Sequence, residues 1–138
     1  MVDKTSHIAQ AHHNQDFADF VLNQTPVHRD WAITAAFYAA VHFTEACFAA
    51  VPSIQHTETA PDRGKLDKHA YRQEKIRKLA PSAYKNYRKL REASQDLRYL
   101  DPTKTLSTYY TGTVAEDYVR VILPQFRTLM ETSFKTKL

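Results

Sequence analysis

The longest apolar stretch of the chain, Trp31–Val51, constrains the fold more than any other feature of the sequence. It is long enough to span a membrane, but His42 and Glu45 stand near its middle and only Arg29 flanks it with positive charge. Ionisable side chains are expensive inside a bilayer, and membrane helices usually carry basic flanks. We therefore expect a helix buried in the core of a folded domain, and no association with a membrane.

The composition of the whole chain also favours helices. The 138 residues include two glycines and 17 alanines, which leaves few residues suited to β-turns and hairpins. No repeat or low-complexity linker interrupts the sequence, so residues 1–138 are expected to form one all-α domain. The single Cys47 excludes an internal disulfide and a cysteine-based zinc site, and the polar N-terminus does not match a secretory signal. We expect a cytoplasmic protein.

Prolines, capping residues and apolar periodicity together predict an up-and-down bundle of four to five helices. Thr25 followed by Pro26 is typical of a helix start, Pro81 opens another helix, and Thr113 begins a capping-box sequence. Pro124 is expected to kink or interrupt the last helix. The predicted helices cover residues 5–22, 26–50, 64–79 and 81–99, followed by a C-terminal segment from residue 113.

One face of the apolar helix carries polar side chains. Successive residues of a helix are rotated by 100°, which places these side chains within an arc of about 120°. A polar stripe on a mostly buried helix needs an explanation. Either it lines a cleft or a dimer interface, where Glu45 and Tyr38 would tune His42 for proton transfer, or it faces solvent, or it holds a core histidine bonded to a carboxylate. The stripe consists of Asp30, Thr34, Tyr38, His42 and Glu45.

Positive charge is concentrated in one region of the chain. Residues 62–98 hold 12 Lys or Arg and five Asp or Glu, a net charge of +7, whereas the whole chain carries +4. Lys65, His69 and Arg72 have the spacing that places them on one helical face. Basic side chains among tyrosines can neutralise phosphates and stack bases, although the same residues also suit an ordinary solvated helix face. The candidate nucleic-acid contacts are Lys65, Arg88, Arg91, Arg98 and Tyr99.

The run from Asp30 to His42 reads Asp-Trp-Ala-Ile-Thr-Ala-Ala-Phe-Tyr-Ala-Ala-Val-His. It resembles the second-helix signature of a subset of HEPN-domain proteins. The resemblance covers about residues 5–130 and implies a helical bundle that often forms dimers. The later part of the chain is similar to the downstream pattern of the same subset, with His69-x-x-Arg72, then Tyr87-x-x-Leu90-x-x-x-Ser94, then Leu97-Arg98-Tyr99.

In many HEPN relatives, an arginine followed after four to six residues by a histidine cuts RNA without a metal. The arginine stabilises negative charge and the histidine transfers protons. The resemblance implies a catalytic pair of Arg63 and His69. Arg72, which has the spacing that places it on the same helical face as His69, is the alternative arginine, and we expect His42 to join the site across a dimer. We therefore expect an RNA-associated protein, and in particular a metal-independent endoribonuclease of a toxin-antitoxin or defence system.

A second function is also open from the sequence. The same bundle could be a non-catalytic module that forms a homodimer or binds a protein such as a nucleotidyltransferase. Cleavage of RNA would favour the first function, and a stable complex without cleavage would favour the second. His12 and Asp16 are one helical turn apart and could join His42 in a metal site, but this spacing is common. Neither a metal nor a cofactor is expected.

Overall fold

The computed structural model of the chain describes residues 2–24, 28–54, 57, 64–98 and 113–138. All regular secondary structure within these ranges is helical, and the helices pack around a shared apolar core. The predictions of an all-α fold and of a helical bundle are confirmed. The helices are α1 (Lys4–Gln24), α2 (Arg29–Ala49), α3 (Lys68–Leu79), α4 (Pro81–Arg98), α5 (Thr113–Asp117) and α6 (Leu123–Phe134), with a π-helical turn, Tyr118–Ile122, between the last two.

The apolar helix α2 is the centre of the bundle. Fourteen of its residues are buried, and it packs against α1, α4 and α6. The buried rings of Phe37, Tyr87 and Phe126 join α2, α4 and α6, with centroid distances of 5.8 and 5.7 Å. Burial of a side chain of this size contributes roughly 1.5–3 kcal/mol. Among the described helices α2 alone is long and apolar enough to cross a membrane, and most of it is buried inside the protein, as predicted for a core helix.

The helix α3 begins later than predicted because of its N-cap. The Asp67 carboxylate accepts a hydrogen bond of 2.7 Å from the Ala70 N–H, and the helix starts at the next residue after Asp67. An aspartate at this position satisfies an N–H group of the first turn that has no partner within the helix. Gly64, with a φ of 57°, lies before the helix in the left-handed region. Lys65 is therefore not helical, and the prediction that it shares a helical face with His69 is wrong.

The predicted break at Pro124 takes the form of the π-helical turn. Proline has no N–H to donate to the carbonyl four residues earlier. The chain before Pro124 forms a wider π-helical turn, in which the Leu123 N–H donates to the Tyr118 carbonyl, five residues earlier. Asn86 of α4 supports the turn by donating to the Ile122 carbonyl at 3.3 Å. The helical path therefore continues through the proline instead of ending there.

Some of the sequence predictions lie outside the described residues. These are the helix start at Pro26, Arg63 of the candidate catalytic pair, and Tyr99 of the candidate nucleic-acid contacts. By contrast, α4 and α5 begin at the predicted residues, Pro81 and Thr113. The fold thus brings α3 and α4 against α2, where the remaining candidate residues can be located.

Candidate functional site

The polar stripe of α2 contains a buried ion pair at its C-terminal end. Glu45 accepts a hydrogen bond from the Arg72 Nε at 2.6 Å, and the two side chains are only 3% and 9% exposed. Asp30, at the other end of the stripe, lies in the first turn of α2, about 22 Å away along the helix. The two ends of the stripe therefore do not belong to one site, and its Glu45 end does not face solvent.

The ion pair holds Arg72 inside the bundle. Removing a guanidinium from water costs several kcal/mol, which only a well-placed partner such as the Glu45 carboxylate offsets. Arg72 therefore lies away from the surface at which an RNA phosphate would bind. Helical spacing with His69 predicted Arg72 as an alternative catalytic arginine, whereas in the structure this residue pairs with Glu45 and fixes α3 against α2.

His42 lies next to a second histidine, His7 of α1. The two Nδ1 atoms are 3.2 Å apart, so one nitrogen donates a hydrogen bond and the other accepts it. Burial lowers the pKa of His42, and the charges of His7 and Arg72 lower it further, against a weaker opposite effect of Glu45. His42 is therefore mainly neutral at neutral pH, and its Nδ1 is engaged within the bundle.

His69, near the start of α3, is half-buried against the ring of Phe37, with 5.6 Å between the ring centroids. Its Nδ1 is buried and has no hydrogen-bond partner among the described residues. Burial lowers the pKa of His69, and the guanidinium groups of Arg72, Arg91 and Arg98 contribute in the same direction. The Asp67 carboxylate acts on the pKa of His69 in the opposite direction, and the net effect leaves His69 mainly neutral at neutral pH.

Two arginines of α4 are held in place by side chains from neighbouring helices. Arg98 donates to the Tyr38 hydroxyl at 2.9 Å, and its guanidinium lies over the Tyr38 ring, 5.7 Å from the centroid. Arg91 donates to the side-chain oxygen of Gln73 in α3, and its own Nε has no partner within the described ranges. We call His69, Arg91, Arg98 and Tyr38 the His69 cluster. It unites residues of α2, α3 and α4.

The other candidate nucleic-acid contacts lie apart from this cluster. Arg88 is exposed on α4 and pairs with Glu92 at 3.4 Å, and Lys65 is exposed in the turn before α3. Residues 88, 91 and 98 lie at different angles around a helix, and only the last two differ by as little as about 20°. This rotation explains why Arg91 and Arg98 contact neighbouring helices while Arg88 points to solvent.

A groove of about 490 Å³ opens between α3 and α4 beside Arg91. Lys75, Arg77 and Lys78 line it with further positive charge, and Glu74 is the acidic residue among the lining side chains. These residues were not singled out in the sequence, because their convergence depends on how α3 packs against α4. The groove extends the basic surface away from the His69 cluster.

Other reactive side chains are poorly placed for chemistry. Cys47 is buried as predicted, and burial raises the pKa of its thiol to about 12. His12 packs edge-on against Phe43 instead of joining His42. Within the described part of the chain, no group of three His, Cys, Asp or Glu residues is arranged to hold a metal ion.

His7 is a buried polar residue that sequence reasoning missed. It lies four residues before Ala11 on the buried side of α1, a position in the apolar stripe that predicts burial. A histidine at such a position could have been predicted from the sequence to be buried. Its contact with His42, however, depends on the packing of α1 on α2.

Comparisons of the chain with protein-family models, with curated proteins and with solved structures found no match. The HEPN resemblance therefore rests on the sequence motifs alone.

Proposed function

We propose that this chain is a HEPN-like protein that cleaves RNA without a metal ion, with His69 as the proton-transfer residue. The observation that carries the proposal is the position of His69, a half-buried imidazole near the start of α3 on which the guanidinium groups of Arg91 and Arg98 act electrostatically. A neutral imidazole can accept a proton, and guanidinium groups can bind the phosphate on which the reaction takes place.

In the proposed reaction, His69 removes the proton from a ribose 2′-hydroxyl. The 2′-oxygen then bonds to the adjacent phosphorus, the bond from phosphorus to the 5′-oxygen breaks, and the leaving 5′-oxygen takes up a proton from water. His69 afterwards returns its proton to the solvent. The products are a 2′,3′-cyclic phosphate and a 5′-hydroxyl. Arg91 and Arg98 stabilise the negative charge that develops on the phosphate oxygens, as preorganised donors do in other phosphate-transfer sites.

The geometry favours His69 over His42 as the catalytic histidine. The Nδ1 of His42 already contacts His7, whereas the Nδ1 of His69 has no partner among the described residues. The guanidinium groups of three arginines, Arg72, Arg91 and Arg98, act electrostatically on His69, whereas Arg72 is the arginine that acts on His42, so His69 has more cations near it to bind a phosphate. His42 is half-buried between α1 and α2, where its Nδ1 is engaged with His7.

The test is cleavage of a mixed RNA pool by purified protein in EDTA. We expect His69→Gln to lower the cleavage rate by about 10²–10⁴-fold, the usual contribution of an acid-base residue. His13→Gln is the matched control, because it removes an exposed histidine on α1, outside the His69 cluster. Wild-type protein that leaves RNA intact, or a His69→Gln variant that cleaves at the wild-type rate, would contradict the proposal. Circular dichroism verifies that each variant is folded.

A second variant pair tests the role of the arginines. Arg98→Gln removes a guanidinium from the His69 cluster, and we expect a loss of about 10²–10³-fold, as for removal of one oxyanion donor. Lys89→Gln removes the same charge from an exposed position on the same helix. Equal losses in both variants would indicate general attraction of RNA to a basic surface instead of a specific role for Arg98.

A second candidate function, a non-catalytic module that binds a protein or a second copy of the chain, has one observation in its favour. Phe17 and Phe20 lie one turn apart on α1 and are 50% and 57% exposed. Exposed aromatic side chains in such proximity are typical of protein interfaces. If the partner is a second copy of the chain, sedimentation experiments should find the wild type as a dimer and Phe20→Ser as a monomer. Leu79→Ser changes another exposed apolar position and is the control, which should remain a dimer. A monomeric wild type would reject the homodimer.

A further inference from the structure

A second groove, of about 390 Å³, lies between α1 and α2 and is bordered by Tyr38 of the polar stripe. We call it the α1–α2 groove. Its size falls within the range of about 300–1,000 Å³ that is usual for small-molecule sites. Aromatic and amide side chains make up much of its lining, which also includes the imidazole of His42; the residues used below are Gln10, Asn14, Phe17, Trp31 and Tyr38.

Aromatic rings form a large part of the groove wall. Trp31 is 56% exposed and Phe17 is 50% exposed. Exposed indole and phenyl faces beside a groove suit a flat aromatic ligand, because stacking removes apolar area from water without requiring a specific edge. A nucleobase is flat, and each of the four bases offers a π-face for stacking.

The polar side of the groove carries a matched donor and acceptor. The Gln10 Nε2 donates to the Asn14 Oδ1 at 3.0 Å, which fixes the two amides side by side. This bond leaves the Gln10 carbonyl oxygen as an acceptor and the Asn14 amino group as a donor. The hydrogen-bonding edge of an unpaired base offers complementary groups, whereas in a duplex this edge is already paired.

The groove is continuous with the His69 cluster through one side chain. Tyr38 lines the α1–α2 groove, and its hydroxyl accepts the hydrogen bond from Arg98. A base in the groove would therefore have its own phosphate close to a guanidinium. This combination of aromatic walls, an amide pair and adjoining positive charge fits a nucleotide better than it fits an apolar protein segment.

We propose that the α1–α2 groove is a subsite for one unpaired base of single-stranded RNA, an inference that rests on the RNA-cleaving function proposed above. The base stacks on Trp31, the amides of Gln10 and Asn14 contact its edge, and Arg98 holds the neighbouring phosphate. RNA is thereby positioned with an unstacked nucleotide next to His69. Duplex RNA, whose bases are paired and stacked, is excluded from the groove.

Trp31 is the single tryptophan of the chain, so its fluorescence reports on this groove without labelling. The probe is a 2′-O-methyl octanucleotide, which has no free 2′-hydroxyl and cannot be cleaved by the proposed reaction. We expect it to quench the fluorescence of Trp31. An octamer of abasic residues and a duplex of the same length should bind through their phosphates with little or no quenching. Equal quenching by the abasic octamer would overturn the proposal.

Affinity measurements with a labelled octamer test the energetic role of the indole. Stacking on one aromatic ring contributes about 1–3 kcal/mol per base, so Trp31→Ala should weaken binding by about 5- to 150-fold. Trp31→Tyr, which keeps a stacking face, should stay close to the wild type, and Val121→Ala is a control at an exposed apolar position outside the groove. Affinity for the abasic octamer should be the same in all four proteins.

The outcomes separate this inference from the function on which it rests. Cleavage that depends on His69, combined with an unchanged affinity in Trp31→Ala, would leave the nuclease intact and reject the base subsite. Base-dependent quenching without cleavage by the wild type would support the subsite and reject the nuclease. If Trp31→Ala instead converts a dimer into a monomer, the groove is an interface between two copies and the subsite is rejected.

Discussion

The ion pair between Glu45 and Arg72 leads to a specific prediction about stability. Glu45→Gln keeps the size of the side chain and an acceptor oxygen, but it leaves the buried guanidinium without a counter-charge. At a charge separation of about 4 Å and an effective dielectric constant of about 20, the lost attraction is about 4 kcal/mol. Loss of one member of a buried pair typically costs about 3–5 kcal/mol. We expect the free energy of unfolding to fall by this amount.

Urea unfolding followed by the helical circular dichroism signal measures this loss. Glu74→Gln is the matched control, because Glu74 forms a similar pair with Arg77 at 2.7 Å but on the exposed surface of α3. Its unfolding midpoint should stay close to that of the wild type, since solvent screens exposed pairs. Similar midpoints for the two variants would refute the claim that the Glu45 pair stabilises the bundle.

Replacing both members of the pair by apolar residues provides a second check. The double variant with Glu45→Met and Arg72→Met leaves no uncompensated charge inside the bundle, so it should recover most of the stability lost in Glu45→Gln. The result also affects the interpretation of catalysis. A loss of RNA cleavage in Arg72→Ala would follow from loss of structure, and would not identify Arg72 as a catalytic residue.

Three further predictions concern buried groups of the core. Burial lowers the pKa of both His42 and His69 below the ordinary 6.5. As the pH falls, these histidines therefore become protonated in the unfolded chain before they do so in the folded protein. The free energy of unfolding falls below pH 6.5, by up to about 1.4 kcal/mol per pH unit for each histidine. Urea unfolding of the wild type and His69→Gln between pH 7.5 and 5 measures this dependence, which should be weaker in the variant, and an equal dependence on pH in both proteins would contradict the prediction. The hydroxyl of Tyr87 is buried without a partner in the described structure. Tyr87→Phe should therefore raise the free energy of unfolding or leave it unchanged. A melting temperature several degrees below that of the wild type would contradict this prediction. Cys47 should react with a thiol reagent only after denaturation, and rapid labelling of the folded protein would show that the thiol is accessible.

The helices of the bundle could largely be predicted from the sequence. Burial of α2 follows from its apolar residues, and the starts of α4 and α5 follow from Pro81 and Thr113. The start of α3 was misplaced because the helical pattern was extended back to Gly64, whereas Asp67 provides the N-cap. A cap is a local hydrogen bond that apolar periodicity does not reveal.

The candidate site was less accessible to sequence reasoning. A buried Glu45 requires a cation, but the sequence does not say which of the many basic residues supplies it. Arg72 was selected for its place in a motif, whereas the packing of α3 on α2 turns it inward. Similarly, the contact of Arg98 with Tyr38 joins residues that are 60 positions apart. Such contacts depend on helix rotation and packing.

The measurement that tests the central claim most directly is the analysis of RNA ends produced by the wild-type protein in EDTA. Attack by the 2′-hydroxyl with proton transfer at His69 predicts 2′,3′-cyclic phosphate and 5′-hydroxyl ends, formed at the same rate with and without chelator, and absent with His69→Gln. Intact RNA at high protein concentration would contradict the account. So would 3′-hydroxyl and 5′-phosphate ends that disappear with EDTA, because these are the products of metal-activated water.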